Sequence, residues 1–238
     1  MTALTTADVV RLETLDAPAL IAWAVERFGA QLAVASSFGL EDVALIDLAA
    51  NATSGRLRVF TLDTGRLNQE TYDVMDRVRS RYDLDLQVLF PDRADVEPLV
   101  REHGVNPFYE SIELRKACCH ARKVRPLERA LAGVPAWMTG LRREQSVTRV
   151  ALSKAELEAG GRLKLAPLAD WSWDDVWRHV RENRVPYNAL HDQGYPSIGC
   201  QPCTRAIRAS EDLRAGRWWW ENPETKECGL HVRPRTGG

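Results

Sequence analysis

The five cysteines of this 238-residue chain constrain its fold and chemistry more than any other feature of the sequence. Cys118 and Cys119 are adjacent, and Cys200 and Cys203 form a Cys-x-x-Cys pair, whereas Cys228 stands apart near the C-terminus. Two close pairs of thiols are typical of the ligand set of one metal centre, and a lone thiol is typical of a nucleophile. We therefore predict that four cysteines hold a metal centre and that Cys228 carries out chemistry.

The residues themselves leave three interpretations of the paired cysteines open. Disulfides need an oxidising compartment, but no apolar signal segment follows Met1, and an odd number of cysteines leaves one thiol over. Zinc is well suited to four thiolates. Adjacent cysteines on a helix point about 100° apart, which suits an iron–sulfur cluster better than a single ion. The spacing therefore favours iron–sulfur only slightly over zinc.

Length and charge indicate one soluble domain. A chain of 238 residues can bury a full hydrophobic core, and its formal net charge is −1. The sequence has no apolar run of about 18 residues, so we expect a cytoplasmic protein that does not bind membranes. Proline and glycine recur after Asn222. We predict one domain over residues 1–221 and a flexible C-terminal tail over residues 222–238.

Short apolar segments alternate with amphipathic ones in the first half of the chain. We predict strands over 31–35, 57–62, 86–90 and 136–139, with helices from Asp16 to about Gly29 and over 40–50, 68–82 and 95–102. Short buried strands separated by helices indicate a parallel sheet with both faces covered. The predicted fold class is α/β, a single domain with a mainly parallel sheet flanked by helices.

Polar sequences follow three of the predicted strands, where ligands of such sheets bind. They are Ser36–Gly39, Asp63–Arg66 and Thr139–Arg143. The first joins a strand to a helix N-terminus and could bind an anion, although serine and glycine are also ordinary turn residues. Ser37 and Phe38 stand where a pyrophosphatase-type loop would have glycine, so we expect a smaller anionic group and no ATP cleavage.

Basic residues surround the cysteine motifs. The segment 115–125 holds five basic residues and no acid, and further arginines follow it: Arg142, Arg143, Arg149, Arg205, Arg208, Arg214 and Arg217. A basic groove can bind nucleic acid, but no stacking pattern of aromatic residues interleaves these side chains. We therefore predict a small ligand with several negative charges and no nucleic acid partner.

Several motifs, in order, resemble the phosphoadenylyl/adenylyl-sulfate reductase family. They are Ser36–Asp42, Leu62–Arg66, Lys116–Cys119 with Arg122-Lys123, Thr139–Ser146, Trp171–Trp177, Val185–Asn188, Ser197–Arg205, Arg214–Glu221 and Glu227–His231. The similarity runs from about Ser36 to His231. Within the family, the Cys-Cys and Cys-x-x-Cys set marks the branch with a [4Fe–4S] cluster, which reduces adenylyl sulfate (APS). The chain is identified as a member of that assimilatory branch.

The resemblance implies a fold, a reaction and a set of site residues. The fold would be similar to that of adenine nucleotide alpha hydrolases, and the reaction would convert APS to sulfite and AMP on the route to cysteine. A Cys228 thiolate would become an S-sulfocysteine that reduced thioredoxin cleaves, and His231 would orient that thiolate or be an exposed tail histidine. The same resemblance assigns one [4Fe–4S] cluster to Cys118, Cys119, Cys200 and Cys203, the phosphosulfate to Lys123, Arg214 and Arg217, and the nucleotide to Ser36, Ser37, Gly39, Gly65, Gly140, Arg143 and Arg149.

Other interpretations remain beside this one. The chain could reduce PAPS, the 3′-phosphorylated form of APS, or both nucleotides, and homo-oligomerisation stays open. A metal-binding PP-loop enzyme that modifies tRNA would use ATP, but the missing loop glycines and the Glu227–His231 motif disfavour it. A non-enzymatic metal sensor would leave Cys228 without a substrate. Metal analysis followed by an APS binding test distinguishes these classes.

Overall fold

A computed structural model describes residues 4–145 and 149–226 of the chain. Its helices are α1 (Thr6–Glu13), α2 (Ala17–Phe28), α3 (Leu40–Ala52), α4 (Gln69–Arg81), α5 (Arg93–His103), α6 (Ile112–Cys119), α7 (Arg125–Ala130) and α8 (Trp173–Glu182). Its strands are β1 (Leu32–Ala35), β2 (Leu57–Leu62), β3 (Leu84–Leu89), β4 (Ala136–Thr139), β5 (Ala155–Leu157) and β6 (Leu163–Leu165).

The strands form one sheet in the order β3-β2-β1-β4-β6-β5. All neighbouring pairs are parallel except β5 and β6, which are antiparallel. The predicted α/β class with a mainly parallel sheet is therefore confirmed. β2 and β3 follow β1 on one side of it. The chain then crosses back, and β4 pairs with the other side of β1, so the strand order reverses at the β1–β4 pair. Such a reversal opens a crevice at the carboxyl ends of the strands.

Alternate strand residues bury into two different cores. In β4, Ala136 and Met138 belong to the larger core, whereas Trp137 belongs to the smaller one. In β1, Val34 belongs to the larger core and Ala33 belongs to the smaller one. This follows from the two-residue period of a strand, which points successive side chains to opposite faces. The larger core includes apolar side chains of α2, α3, α4 and α8, and the smaller core includes Ala130 of α7.

The predicted elements agree with the observed ones to within a few residues. The Asp16 carboxylate accepts a hydrogen bond from the amide of Ala19 at 2.9 Å, so it caps α2 as expected. β3 begins at Leu84, two residues before the predicted start. β5 and β6 were not predicted, since strands of three residues are too short to show a period.

The last described residues form hydrogen bonds with α6 and with the segment around Arg214. The carbonyl of Thr225 accepts a hydrogen bond from Arg115 at 2.7 Å, and that of Lys226 accepts one from Arg214 at 2.8 Å. The predicted boundary between residues 221 and 222 stays a prediction, because the described residues stop at Lys226. None of the helices within residues 4–145 and 149–226 is long and apolar enough to cross a membrane.

Candidate active site

A cavity of about 210 Å³ opens at the carboxyl ends of β1, β2 and β4. Parallel strands end at the same edge of a sheet, so the loops that follow them meet there. Ser36, Ser37 and Gly39 line the cavity after β1, Thr64 lines it after β2, and Gly140 lines it after β4. The polar sequences singled out after these three strands therefore surround one space.

The Asp42 carboxylate accepts hydrogen bonds from two of these loops. One of its carboxylate oxygens accepts hydrogen bonds from the amide and hydroxyl of Ser37 at 2.5 and 2.7 Å, and the other accepts from the amide of Gly140 at 3.2 Å. A Cβ on Gly140 would lie 2.5 Å from the Asp42 carboxylate, so only glycine allows this approach. Burial raises the pKa of Asp42 to about 6, although the hydrogen bonds from Ser37 oppose that shift.

The loop between β1 and α3 has a strained backbone. Phe38 has a φ of 56°, in the left-handed region that favours glycine, yet its side chain is fully buried. Its amide donates to the Ser36 hydroxyl at 3.0 Å, which holds the turn. The loop leads directly into α3, whose cap residue Gly39 contributes no side-chain hydrogen bond. Leu40, Glu41 and Asp42 at the start of α3 line the cavity, and a helix N-terminus favours negatively charged ligands.

Three basic residues also line the cavity. Lys123, Arg214 and Arg217 all line it, although Lys123 lies far from the two arginines in sequence. Arg214 and Arg217 come from the turn before the tryptophan triplet, and the amide of Arg217 donates to the carbonyl of Arg214 at 2.9 Å. Three cations thus line the same cavity as the polar strand-end loops, an arrangement suited to a ligand with several negative charges.

Lys123 lies in a π-helical segment, His120–Val124, between α6 and α7. This segment continues α6 directly after Cys118 and Cys119, so one continuous helical stretch carries the cysteine pair and Lys123. A π-helical insertion widens a helix by one residue per turn and often occurs at functional sites. The insertion changes the direction of Lys123 relative to the cysteines, as compared with a regular α-helix.

The four paired cysteines lie in one cluster beside the cavity. Cys119 and Cys203 are buried there with Phe108 and Trp218, and Cys118 and Cys200 pack against the same group together with Trp220. None of these four thiols is in a disulfide. The Thr64 hydroxyl lies 3.3 Å from the Cys200 sulfur and also lines the cavity, so one residue contacts both places.

The four paired thiols share one buried group, but they are not arranged around a metal ion. In residues 4–145 and 149–226, no three or more His, Cys, Asp or Glu side chains converge as a metal-ion site. A tetrahedral zinc site needs four ligands at about 2.3 Å from one ion. Zinc and an iron–sulfur centre both take four thiolate ligands, so this buried group suits either kind of centre in composition.

Basic side chains of the cavity also act on the cysteines. Burial alone would raise the pKa of the Cys200 thiol. The positive charges of Lys123 and Arg217 and the hydrogen bond from the Thr64 hydroxyl lower this pKa instead. Burial and the neighbouring Cys200 raise the pKa of Cys203 to about 12, since a second negative charge nearby is unfavourable. Lys123 and Arg217 therefore line the cavity and also lower the pKa of a thiol in the cysteine cluster.

Most of the residues predicted for substrate binding line the cavity. The described residues among them that do so are Ser36, Ser37, Gly39, Gly140, Arg149, Lys123, Arg214 and Arg217. Gly65 and Arg143 do not line it. The Arg143 guanidinium instead pairs with Glu13 at 2.6 Å and with Asp170. Cys228 and His231 lie outside the described residues.

Several residues at the cavity were not among those predicted from the sequence. Asp42, Thr64 and Arg142 belong to motifs that were singled out, but no property of those motifs indicated which side chains face inward. Arg142 is fully buried and donates to Glu41 at 2.9 and 3.0 Å, with its guanidinium 5.6 Å from the Trp173 ring. It shapes the cavity wall through that ion pair. Trp173, His191 and Ser197 are among the other lining residues that were not assigned.

Comparison with known proteins identifies the family. Residues 31–206 match the family described as the phosphoadenosine phosphosulfate reductase domain. The chain is 53% identical to an adenosine 5′-phosphosulfate reductase of Burkholderia cepacia over 97% of its own length and 91% of the relative's. It is 50% identical to a protein of the same name from Neisseria meningitidis serogroup A, over 83% of this chain and 81% of that one.

A solved structure agrees with this relationship. The phosphoadenylyl-sulfate reductase of Candida auris, crystallised as a phosphate complex, superposes with a TM-score of 0.71 at 28% identity. The superposition covers 87% of this chain and 99% of that one. Yeast FAD synthetase, at 15% identity and a TM-score of 0.57, shares the fold alone. The resemblance drawn from the sequence is confirmed, and with it the expectation of a reductase enzyme, because the chain belongs to the phosphoadenosine phosphosulfate reductase domain family.

Proposed function

We propose that the chain reduces APS to sulfite and AMP in sulfate assimilation, with thioredoxin as the electron donor. The relatives named adenosine 5′-phosphosulfate reductase support APS as the substrate. The observation that carries the proposal is that Lys123, Arg214 and Arg217 line one cavity together with the loop that contains Ser36, Ser37 and Gly39. APS consists of an adenosine and a phosphosulfate, which suits a cavity lined by polar strand-end loops and by three cations.

The cavity residues would bind and orient APS for displacement at sulfur. The loops at Ser36, Gly39 and Gly140 would hold the nucleotide, and the three cations would hold the phosphosulfate. The Cys228 thiolate attacks the sulfur, and a new sulfur–sulfur bond forms as the bond from sulfur to the phosphate oxygen breaks. AMP leaves with that electron pair, and the sulfonate stays on Cys228. The cations stabilise the charge that develops on the leaving oxygen.

Thioredoxin would complete the turnover. One of its thiolates attacks the Cys228 sulfur, and sulfite leaves with the electron pair of the sulfur–sulfur bond. The second thioredoxin thiol then displaces the Cys228 thiolate. Two thiols become one disulfide, and this supplies the two electrons that the reduction of APS consumes.

Cys118, Cys119, Cys200 and Cys203 would hold a [4Fe–4S] cluster. The observation that supports this is their common position in one buried group with free thiols. When bound, the cluster would supply fixed charge next to the anion site. It is not required as an electron donor, because thioredoxin supplies both electrons.

Intact-mass analysis tests the proposed nucleophile. The protein is mixed with APS in the absence of reductant, and the peptides are then mapped. The wild type should gain the mass of one sulfonate on the peptide that contains Cys228, together with one equivalent of AMP. The Cys228→Ser variant should bind APS but gain no mass and release no sulfite, because a serine hydroxyl is barely ionised at neutral pH. An adduct on another residue, or sulfite from the serine variant, would overturn the proposal.

A further inference from the structure

Gly199 lies against the guanidinium of Arg217. A Cβ placed on Gly199 would lie 2.3, 2.5 and 2.9 Å from Nη2, Cζ and Nη1 of Arg217, and these are its three nearest atoms. Any side chain at position 199 would therefore occupy the space of the guanidinium. The backbone of Gly199 does not itself require glycine, since its φ is outside the left-handed region. The close approach of Arg217 is the structural reason for glycine here.

The indole of Trp218 makes a second contact with the same guanidinium. The Arg217 Cζ lies 4.7 Å from the centre of the Trp218 ring, within the range of a cation–π interaction. The indole is itself fixed, because Trp218 is 1% exposed and its amide donates to the carbonyl of Cys203 at 3.1 Å. The Gly199 backbone and the Trp218 ring thus restrict where the guanidinium can lie.

Few hydrogen bonds hold Arg217 in this position. Its Nη1 donates to the carbonyl of Ile198 at 3.2 Å and lies 3.5 Å from the Ser197 hydroxyl. Its buried Nε has no hydrogen-bond partner among the residues that the structure describes. Arg217 is 7% exposed and lines the cavity. Its direction therefore depends on packing against Gly199 and Trp218 more than on protein hydrogen bonds, and donor capacity remains for a ligand.

We propose that Gly199 and Trp218 are positioning residues, which hold the Arg217 guanidinium against the anionic end of the substrate. This inference rests on the proposed function, in which Arg217 binds the phosphosulfate. Gly199 acts by having no side chain, and Trp218 acts through the face of its ring. Neither residue needs to contact the reacting atoms.

The first measurement is ligand binding to Gly199→Ala. Dissociation constants for APS and adenosine are determined in the Cys228→Ser background without reductant, so that no turnover occurs. The new methyl group should displace the flexible end of Arg217, and APS should bind about ten-fold more weakly. Adenosine has no anionic group, and its affinity should stay within about two-fold. The matched control is Gly55→Ala, since a Cβ there meets no atom within 4 Å. An equal loss for both ligands would overturn the proposal.

The second measurement is a double-mutant cycle with Arg217→Ala. In that background the guanidinium is absent, so Gly199→Ala should have no further effect on APS affinity. The double variant should also fold if the single Gly199→Ala variant does not, because its steric conflict has been removed. A Gly199→Ala effect that persists without Arg217 would show that Gly199 acts through another group. If Arg217→Ala alone leaves APS affinity unchanged, the proposed role of Arg217 fails, which is a separate result from the coupling.

Trp218→Leu tests the other contact. Loss of the ring should weaken APS binding with little effect on adenosine, and the effect should again disappear in the Arg217→Ala background. An equal effect in both backgrounds would remove Trp218 from the proposal.

Discussion

The guanidinium of Arg115 donates to both carboxylate oxygens of Glu221, at 2.9 and 2.8 Å. The Arg115 side chain is fully buried, and that of Glu221 is 3% exposed. Arg115 lies one turn before Cys119 on α6, and its Cζ is 4.7 Å from the centre of the Trp218 ring. One buried ion pair therefore fastens the segment that leads toward Cys228 to the helix that carries the cysteine pair.

Replacement of Glu221 by alanine should strongly destabilise the protein. It leaves the Arg115 charge buried without its carboxylate partner, which typically costs about 3–5 kcal/mol. The free energy of unfolding, measured with urea, checks this prediction. Asp83→Ala is the control, because its ion pair with Arg56 at 3.0 Å is about 70% exposed. Such a pair contributes no more than about 1 kcal/mol. Similar losses in the two variants would contradict the prediction.

The stability of the protein should depend on the ionisation of Asp42. Its pKa is about 6 in the folded protein and 3.8 as a reference value for the unfolded chain. Between these values the folded state binds more protons, so this group stabilises the fold at low pH and loses that contribution as the pH rises through 6. The wild type should gain stability relative to Asp42→Asn as the pH falls from about 7 to about 5. Parallel unfolding curves across this range would refute the prediction.

Lys123→Ala should weaken the capture of APS. The cavity loses one of its three lining cations named above, and a charge-assisted hydrogen bond contributes about 1.5–3 kcal/mol. Calorimetric titration of APS measures this loss directly. Lys116→Ala is the matched control, since Lys116 lies on the preceding turns of the same helical stretch and is exposed. Wild-type affinity in Lys123→Ala, or equal losses in both variants, would remove Lys123 from the binding site.

Loss of any paired cysteine should remove the metal centre. An anaerobically purified wild type should be brown and contain about four irons per chain, as a [4Fe–4S] cluster requires. Cys119→Ser should lose iron and activity together, because the centre joins two distant segments of the chain. Cys228→Ser should retain full iron content. A colourless protein that contains zinc, or full iron content after Cys119→Ser, would show that the proposed ligand set is wrong.

The enzyme should prefer APS to PAPS. This prediction follows from the four paired cysteines, which mark the APS branch of the family that the sequence resembles. Thioredoxin-dependent release of sulfite gives kcat/KM for the two nucleotides under the same conditions. Comparable values would mean that the enzyme uses both nucleotides, without affecting the role proposed for Cys228.

The sequence was sufficient to predict the parallel core of the fold. Apolar runs such as Leu57–Leu62 are buried because their composition favours a covered strand, and Asp16 caps α2 through contacts within one turn. These signals are local, so they can be read without knowing what packs on the element. The short strands β5 and β6 could not be predicted, because their pairing comes from the sheet edge that β4 provides.

The site was only partly determined by the sequence. Cysteine spacing and basic residues indicated its chemistry, and family motifs indicated which loops to consider. Only the tertiary structure showed that Asp42 joins Gly140, 98 residues away, and that Arg143 pairs with Glu13 instead of lining the cavity. The contact between Gly199 and Arg217 likewise has no signature in either local sequence. The physical reason is that periodicity and capping depend on neighbours along the chain, whereas close packing and ion pairing depend on which segments the fold brings together.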